Sequence, residues 1–204
     1  MDPELSFDPA EVFDEVSGYL DSLELTGGWQ ITYFKAGDII KQRKDVDDTL
    51  IYSAETIINK TPEEISSAII ELDQRKKWDN YTLECESLAQ WGKNLQLLYL
   101  QQKFKWPMSN RDYVLIQGIA REMEDKILIG WKSVGYDKKP HIGSFVRGTI
   151  YYSGFIITKV NEVSHVTYVE KSDFSGLIPA SLMKMLQKRS LNAVLALKEY
   201  LKSN

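Results

Sequence analysis

The chain has 204 residues, of which 43% are hydrophobic and 26% charged, and its formal net charge is −4. This composition is that of one globular domain and excludes wholesale disorder, collagen and coiled coil. No apolar run approaches the roughly 20 residues of a membrane-spanning helix, and the acidic N-terminus lacks the basic segment of a secretory signal. The single cysteine, Cys85, indicates a reducing compartment, so we expect an intracellular, cytoplasmic protein.

The charge is unevenly distributed along the chain. Residues 1–34 carry eight acidic side chains and no Lys or Arg, whereas the remaining 170 residues carry 25 basic and 21 acidic side chains. This mildly basic body is too weakly charged for a nucleic-acid-binding protein, so we expect no nucleic-acid partner. It is compatible with transient contact with an anionic membrane surface.

The first half of the chain begins with an amphipathic pattern over residues 9–25, which predicts a helix capped by Asp8. Three extended segments are expected next, near residues 29–34, 38–43 and 48–58. A capping box formed by Thr61 and Glu64 predicts the start of a second helix, which should run to about residue 77.

The second half reads as strands joined by short turns, followed by one long helix. The strands are expected near residues 81–88, 94–106, 111–121, 126–135, 144–158 and 164–171. Because most connections are only a few residues long, neighbouring strands should be antiparallel. A longer loop spans residues 135–143, and the last helix is expected over about 179–202.

This element order predicts an α+β fold in which a large curved antiparallel sheet of about nine strands has its helices on one side. We expect one domain over residues 1–204, with residues 1–8 disordered or foreign to the protein. A long helix across a strongly curved sheet leaves a cavity that suits an apolar ligand. Side chains filling that cavity are the alternative that the pattern leaves open.

Four motifs in order along the chain carry a family resemblance. They are Arg75 to Tyr81 (RKKWDNY), Trp106 to Val114 (WPMSNRDYV), Phe145 to Gly148 (FVRG) and Ser175 to Leu182 (SGLIPASL). Together they resemble a START domain, the StAR-related lipid-transfer module, and the second motif is most similar to the phosphatidylcholine-transfer subgroup. The resemblance implies the helix-grip fold, with the C-terminal helix closing a tunnel that holds one lipid.

The resemblance also implies a phosphate-binding pair. Arg75 and Asp79 are four residues apart, so they can pair on one helix face. A buried arginine held by one carboxylate keeps donors for a phosphate. The alternative is an ion pair that only fixes the end of the helix.

A choline group would need an aromatic cage, which binds a quaternary ammonium by cation–π attraction. The matching cage positions are Tyr113, Tyr151 and Leu100, so the cage lacks one aromatic side chain. Tyr99 is next to Leu100 but should point to the opposite face of a regular strand. Ordinary sheet packing is the alternative for both tyrosines.

Two further positions match the buried charged pair of sterol-binding relatives. They are Leu98 and Gln117, and neither is charged, which argues against sterol binding although the Gln117 amide can still serve one hydroxyl. Arg147 is a candidate ligand contact with a structural role as its alternative.

The resemblance places a lid at the last helix. The lid residues are a hinge and the first apolar residues of the helix, namely Gly176, Pro179, Leu182, Met185 and Leu186. The basic side of the same helix, with Lys184, Lys188 and Arg189, is expected to contact membranes. A solvated basic surface is the alternative.

No catalytic set is apparent. The two histidines, His141 and His165, have no metal-ligand spacing with Cys85, so we expect no enzyme, metal or cofactor. We therefore predict a monomer that binds one lipid, favouring a glycerophospholipid such as phosphatidylcholine over a sterol, and transfers it between membranes. The alternative is a sterol- or fatty-acid-binding sensor or interaction module with little transfer activity.

Overall fold

The computed structural model describes residues 5–123, 125–141, 143–173 and 180–203. The first half contains α1 (Pro9–Leu25), β1 (Gln30–Lys35), β2 (Asp38–Lys44), β3 (Leu50–Ile58), α2 (Pro62–Ile70) and α3 (Leu72–Trp78). The second half contains β4 (Thr82–Trp91), β5 (Leu95–Gln102), β6 (Arg111–Met123), β7 (Lys126–Ser133), β8 (Val146–Arg147), β9 (Thr149–Val160), β10 (Val163–Asp173) and α4 (Ala180–Lys202).

The strands form one sheet in the order β1-β2-β3-β10-β9-β7-β6-β5-β4. All neighbours on this path are antiparallel, as the short connections predict. The predicted strand 144–158 is divided, because Val146 and Arg147 pair in parallel with the start of β6 while β9 pairs with β7 and β10. The described sheet thus has ten strands, and the expected α+β helix-grip architecture is confirmed.

The predicted helix over 61–77 is two helices. Its start is as expected, since Thr61 and Glu64 form a reciprocal capping box. The helix breaks at Glu71, whose ψ of 112° is extended rather than helical. The break turns α3 back onto α2, and the indole Nε1 of Trp78 donates to the carbonyl oxygen of Ala68 at 2.8 Å.

The expectation that all helices lie on one side of the sheet is wrong. The helices α2, α3 and α4 pack on one face, in a cavity-side core that includes Ile65, Trp78, Val194 and Leu197. On the opposite face, α1 contributes Val16 and Leu20 among others to an α1-side core with Leu97, Val114, Leu128 and Ile156. The sheet therefore has an apolar layer on each face.

Three glycines explain how α1 packs so closely. Gly118, Gly130 and Gly154 lie side by side on β6, β7 and β9. A Cβ atom at Gly118 would lie 2.2 Å from the Phe13 ring, and one at Gly130 would lie 2.4 Å from Val16. Any larger side chain in this row would push α1 off the sheet, so the row fixes where α1 lies.

Residues 5–8, within the arm predicted to be disordered or foreign to the protein, lead into α1. Asp8 is the N-cap of α1 and accepts a hydrogen bond from the Ala10 backbone at 2.8 Å. Phe7 packs against the α1-side core. Residues 1–4 lie outside the described part of the chain.

Candidate functional site

A cavity lies between the sheet and α4. Its wall combines apolar side chains with buried charges, and its lining residues include Arg75, Trp78, Asp79, Leu100, Trp131, Ile150, Ser153, Phe155, Tyr168, Glu170 and Arg189. The cavity volume is about 40 Å³. That space is enough for a few water molecules, whereas pockets for organic ligands span roughly 300–1,000 Å³. An occupant as large as a lipid therefore requires α4 or a neighbouring loop to move outward.

Arg75 is the first charged group of the cavity wall. It lies on α3, is only 9% exposed, and its guanidinium lies 5.1 Å from the Trp131 ring. Its Nε is 3.6 Å from Asp79 Oδ2, so the predicted pair is present as an ion pair without a hydrogen bond. Asp79 is held in turn by the Tyr81 backbone and the Thr82 hydroxyl.

Two nitrogens of this guanidinium, Nε and Nη1, are buried and have no hydrogen-bond partner among the described residues. A buried donor that is left unpaired costs free energy. The Arg75 side chain is thus a fixed cation with donors to spare, at the wall of a cavity that apolar and charged side chains share. It suits an anionic group that enters the cavity.

Two of the predicted cage positions lie on the cavity side of the sheet. Leu100 lines the cavity, and Tyr113, its register partner on β6, is buried in the same core. Burial raises the pKa of the Tyr113 phenol well above its usual range, so it stays a neutral group. Tyr99 points to the opposite face, as expected from alternation, and donates to Asp112 Oδ2 at 3.1 Å.

The third cage position, Tyr151, is not at the cavity. The register of β9 on β10 shifts here, with Lys171 opposite Tyr152 and Ser172 opposite Ile150. Tyr151 is thus the extra residue of a β-bulge, and it is 39% exposed with the Lys171 ammonium 5.7 Å from its ring. The sequence match fails at this position because the bulge places Ile150 in the cavity wall instead.

The two positions that match the sterol-binding pair are buried in the protein interior but outside the cavity lining. Leu98 and Gln117 are both almost fully buried. The Gln117 amide oxygen accepts a hydrogen bond of 2.6 Å from the Trp131 indole. Neither residue is among those that line the cavity.

Arg147 has a structural role, which was the alternative to the predicted ligand contact. It donates to both carboxylate oxygens of Asp112, at 3.0 and 2.8 Å, and to the carbonyl oxygen of Lys139 at 3.3 Å. These bonds tie the loop after β7 to the start of β6. Arg147 is not a lining residue of the cavity.

Part of the predicted lid lies in the described part of α4. Leu186 is buried, while Leu182 and Met185 are half-buried. The hinge residues Gly176 and Pro179 and the side chain of Lys184 lie outside the described residues. Farther along the helix, Lys198 anchors α4 by hydrogen bonds to Asp38 Oδ1 at 3.0 Å and Thr56 Oγ1 at 2.9 Å.

Of the predicted membrane-contact residues, Lys188 is exposed and Arg189 is not. Arg189 is 8% exposed, donates to Gln102 Oε1, and lies 4.1 Å and 4.5 Å from the rings of Phe104 and Tyr81. Assigning it to the membrane face is wrong because it follows Leu186 by three residues, which places both on the buried side of the helix.

The sequence analysis missed a second polar cluster in the cavity wall. Ser153 donates to the Tyr168 hydroxyl at 3.0 Å, and Tyr168 donates to Glu170 Oε2 at 2.9 Å. Burial, with a contribution from the Glu170 charge, raises the pKa of Tyr168 well above its usual value. Alternation along β10 carries the signal for this cluster, since Val166, Tyr168 and Glu170 occupy every second position of one face.

Comparison with known proteins agrees with this geometry. The START domain family model matches residues 23–200 of the chain. The chain belongs to the START-domain family. Its START fold is shared with human StAR-related lipid transfer protein 5, which superposes with a TM-score of 0.89 at 21% identity, over 96% of this chain and 97% of that one.

Two curated START relatives show the extent of the sequence similarity. Mouse START domain-containing protein 10 is 26% identical over 183 residues, which cover 87% of this chain and 62% of that protein. Rat phosphatidylcholine transfer protein is 32% identical over 107 residues, which cover 51% of this chain and 49% of that protein. The matches thus span about half to three fifths of the relatives' own length.

Two features are absent from the described residues of this START domain. None of the helices they form is long and apolar enough to cross a membrane. No group of three or more His, Cys, Asp or Glu side chains within them is arranged to hold a metal ion.

Proposed function

We propose that this chain binds one glycerophospholipid in the cavity under α4 and transfers it between membranes. Membership of the START family and the names of two relatives, a lipid transfer protein and a phosphatidylcholine transfer protein, support lipid binding. The barrier to transfer is the exposure of acyl chains to water, and apolar side chains around the cavity replace the bilayer as their surroundings.

The observation that carries the phospholipid proposal is the pair of unpartnered Arg75 nitrogens. A sterol offers no charge to this guanidinium, whereas a phosphodiester offers two oxygens that match its planar donors. A fatty-acid carboxylate matches the same donors, so this observation separates phospholipid from sterol, and the experiment below separates it from fatty acid. Asp79 holds Arg75 from one side only. The phosphate would take the donors that the described residues leave unpaired.

A surface beside α4 supports membrane docking. Lys103, Lys105 and Lys188 line a shallow groove between the β5–β6 loop and α4, and Trp106 at the tip of that loop is 91% exposed. We call these four residues the basic rim. Lysines attract anionic headgroups and an exposed indole partitions into the membrane interface. The basic rim adjoins the N-terminal half of α4, one of the elements whose outward movement would admit a lipid.

The test is extraction of phospholipid from vesicles, followed by mass spectrometry of the protein-bound lipid. The Arg75→Ala variant should retain less than about a tenth of the wild-type phospholipid, because a charge-assisted bidentate contact is lost. The matched control is Arg43→Ala, an arginine that lies over Trp29 and does not line the cavity.

Unchanged phospholipid extraction by a folded Arg75→Ala protein would contradict the phosphate-binding role. Recovery of a sterol or a fatty acid in place of phospholipid would support the alternative function as a sensor. Both outcomes are read from the same spectra.

A further inference from the structure

Glu170 is a buried carboxylate in the cavity wall that the proposed phosphate site does not use. It is 9% exposed, and its two oxygens accept hydrogen bonds from Tyr168 at 2.9 Å and from Ser172 at 2.7 Å. Both donors are neutral hydroxyls. Among the described residues, no Lys, Arg or His side chain lies within ion-pair distance of this carboxylate.

The nearby cation is already engaged. Arg189 also lines the cavity, but its guanidinium donates to Gln102 and lies over the rings of Phe104 and Tyr81. Burying a carboxylate without a cationic partner is unfavourable unless hydrogen bonds compensate, and two hydroxyl donors compensate only in part. A cation that enters the cavity can therefore form an ion pair with Glu170.

The strand register places Glu170 in the same row of residues as Trp131, whose ring the Arg75 guanidinium contacts. Trp131, Ser153 and Glu170 are register partners on the adjacent strands β7, β9 and β10, and all three line the cavity. Adjacent strands are about 4.8 Å apart, so the backbones of Trp131 and Glu170 are about 10 Å apart, with Ser153 between them. Arg75 lies directly over the Trp131 ring.

One class of ligand satisfies both side chains. Arg75 needs an anionic group and Glu170 a cationic one, and both line the same cavity. A phosphate and an ammonium joined by a short linker meet both needs in one headgroup. The aromatic rings of Phe155 and Tyr168, 4.8 Å apart, line the space beside them.

We propose that Glu170 binds the ammonium group of a zwitterionic phospholipid whose phosphate is held by Arg75, and that it selects a primary ammonium over a quaternary one. This inference rests on the proposed phospholipid function. A primary ammonium has N–H donors that a carboxylate can accept, whereas a quaternary ammonium has none and relies on an aromatic cage. The predicted cage is incomplete here, since Leu100 fills one position and Tyr151 is outside the cavity.

The experiment uses the full chain and vesicles of equal parts phosphatidylethanolamine, phosphatidylcholine and phosphatidylglycerol with identical acyl chains. Bound lipids are extracted and quantified by mass spectrometry. The wild-type chain should take up phosphatidylethanolamine in about tenfold preference to phosphatidylcholine. In Glu170→Gln this preference should fall about tenfold, while uptake of phosphatidylglycerol, which has no ammonium, should be unchanged or higher.

Glu55→Gln is the matched control, because Glu55 is equally buried but lies away from this cavity. It should keep the wild-type preference. A Glu170→Gln protein that keeps the ethanolamine preference, or a wild-type chain that takes up choline lipid equally well, would overturn the inference. A wild-type chain that takes up no phospholipid would instead overturn the proposed function itself.

A second measurement needs no variant and so does not depend on how Glu170→Gln folds. The wild-type chain is offered phosphatidylethanolamine bearing zero, one, two or three N-methyl groups. Uptake should drop most at the third methyl, which removes the last N–H donor. Uptake that is flat or rises along this series would overturn the inference.

Discussion

On one face of the sheet, α1 meets three glycines and a layer of apolar side chains, whereas on the other face α3 and α4 meet a wall that contains Arg75, Glu170 and Arg189. The first face is closely packed, and its glycines leave no space between helix and strands. The second face holds buried charges, which cost stability rather than supply it. The difference supports the proposal that the ligand site lies on the α4 face, whereas the α1 face serves packing alone.

The largest effect should come from filling the glycine row. Gly130→Val places a side chain where a Cβ atom alone would lie 2.4 Å from Val16. Overpacking of this kind costs about 3 kcal/mol of unfolding free energy. Urea unfolding measures the change, and Gly135→Val, at a glycine with no atom near its Cβ position, should cost under about 0.5 kcal/mol. Equal losses of unfolding free energy at both glycines would show that the position of α1 does not depend on this row of glycines.

An intermediate effect should come from the surface beside the ligand face. Reversing two charges of the basic rim, with Lys103→Glu and Lys188→Glu, should slow transfer to anionic vesicles at least about thirtyfold, because each lysine near such a surface contributes about 1 kcal/mol. Lipid uptake at equilibrium should not change. The control pair is Lys93→Glu with Lys159→Glu, which lie near turns at the opposite end of the sheet. Equal slowing by both pairs would remove any special role for the rim.

The smallest effect should be that of Arg75→Met on stability. The guanidinium makes no hydrogen bond through Nε or Nη1, and its distance to Asp79 is 3.6 Å. Methionine keeps much of the side-chain volume, so the unfolding free energy should change by less than about 1 kcal/mol while phospholipid uptake is lost. A loss of several kcal/mol would instead make Arg75 a structural residue, and the two faces would then not divide stability from binding.

Local signals made much of the fold predictable. The capping box at Thr61 and the cap at Asp8 place two helix starts within one residue of those observed. Alternation places Leu98, Leu100 and Tyr113 on one face and Tyr99 on the other. These features depend on neighbours a few residues away, so the sequence contains the information for them.

The errors arose where contacts distant in sequence decide the outcome. The bulge at Tyr151 follows from how β9 pairs with β10, and one extra residue reverses which side chains reach the cavity. The face occupied by α1 depends on its fit to glycines about 100 residues later in the chain. Glu170 was predictable in principle from alternation along β10, but its significance appears only when Ser153 and Trp131 are placed beside it.

The most direct test of the central claim is native mass spectrometry of the full chain after incubation with mixed phospholipid and sterol vesicles. We expect a single bound species of phospholipid mass at one per chain, absent from Arg75→Ala and present in Arg43→Ala. A bound sterol, a bound fatty acid, or equal phospholipid occupancy in the wild-type and Arg75→Ala proteins would contradict the assignment of the α4 face as a phospholipid site held by Arg75.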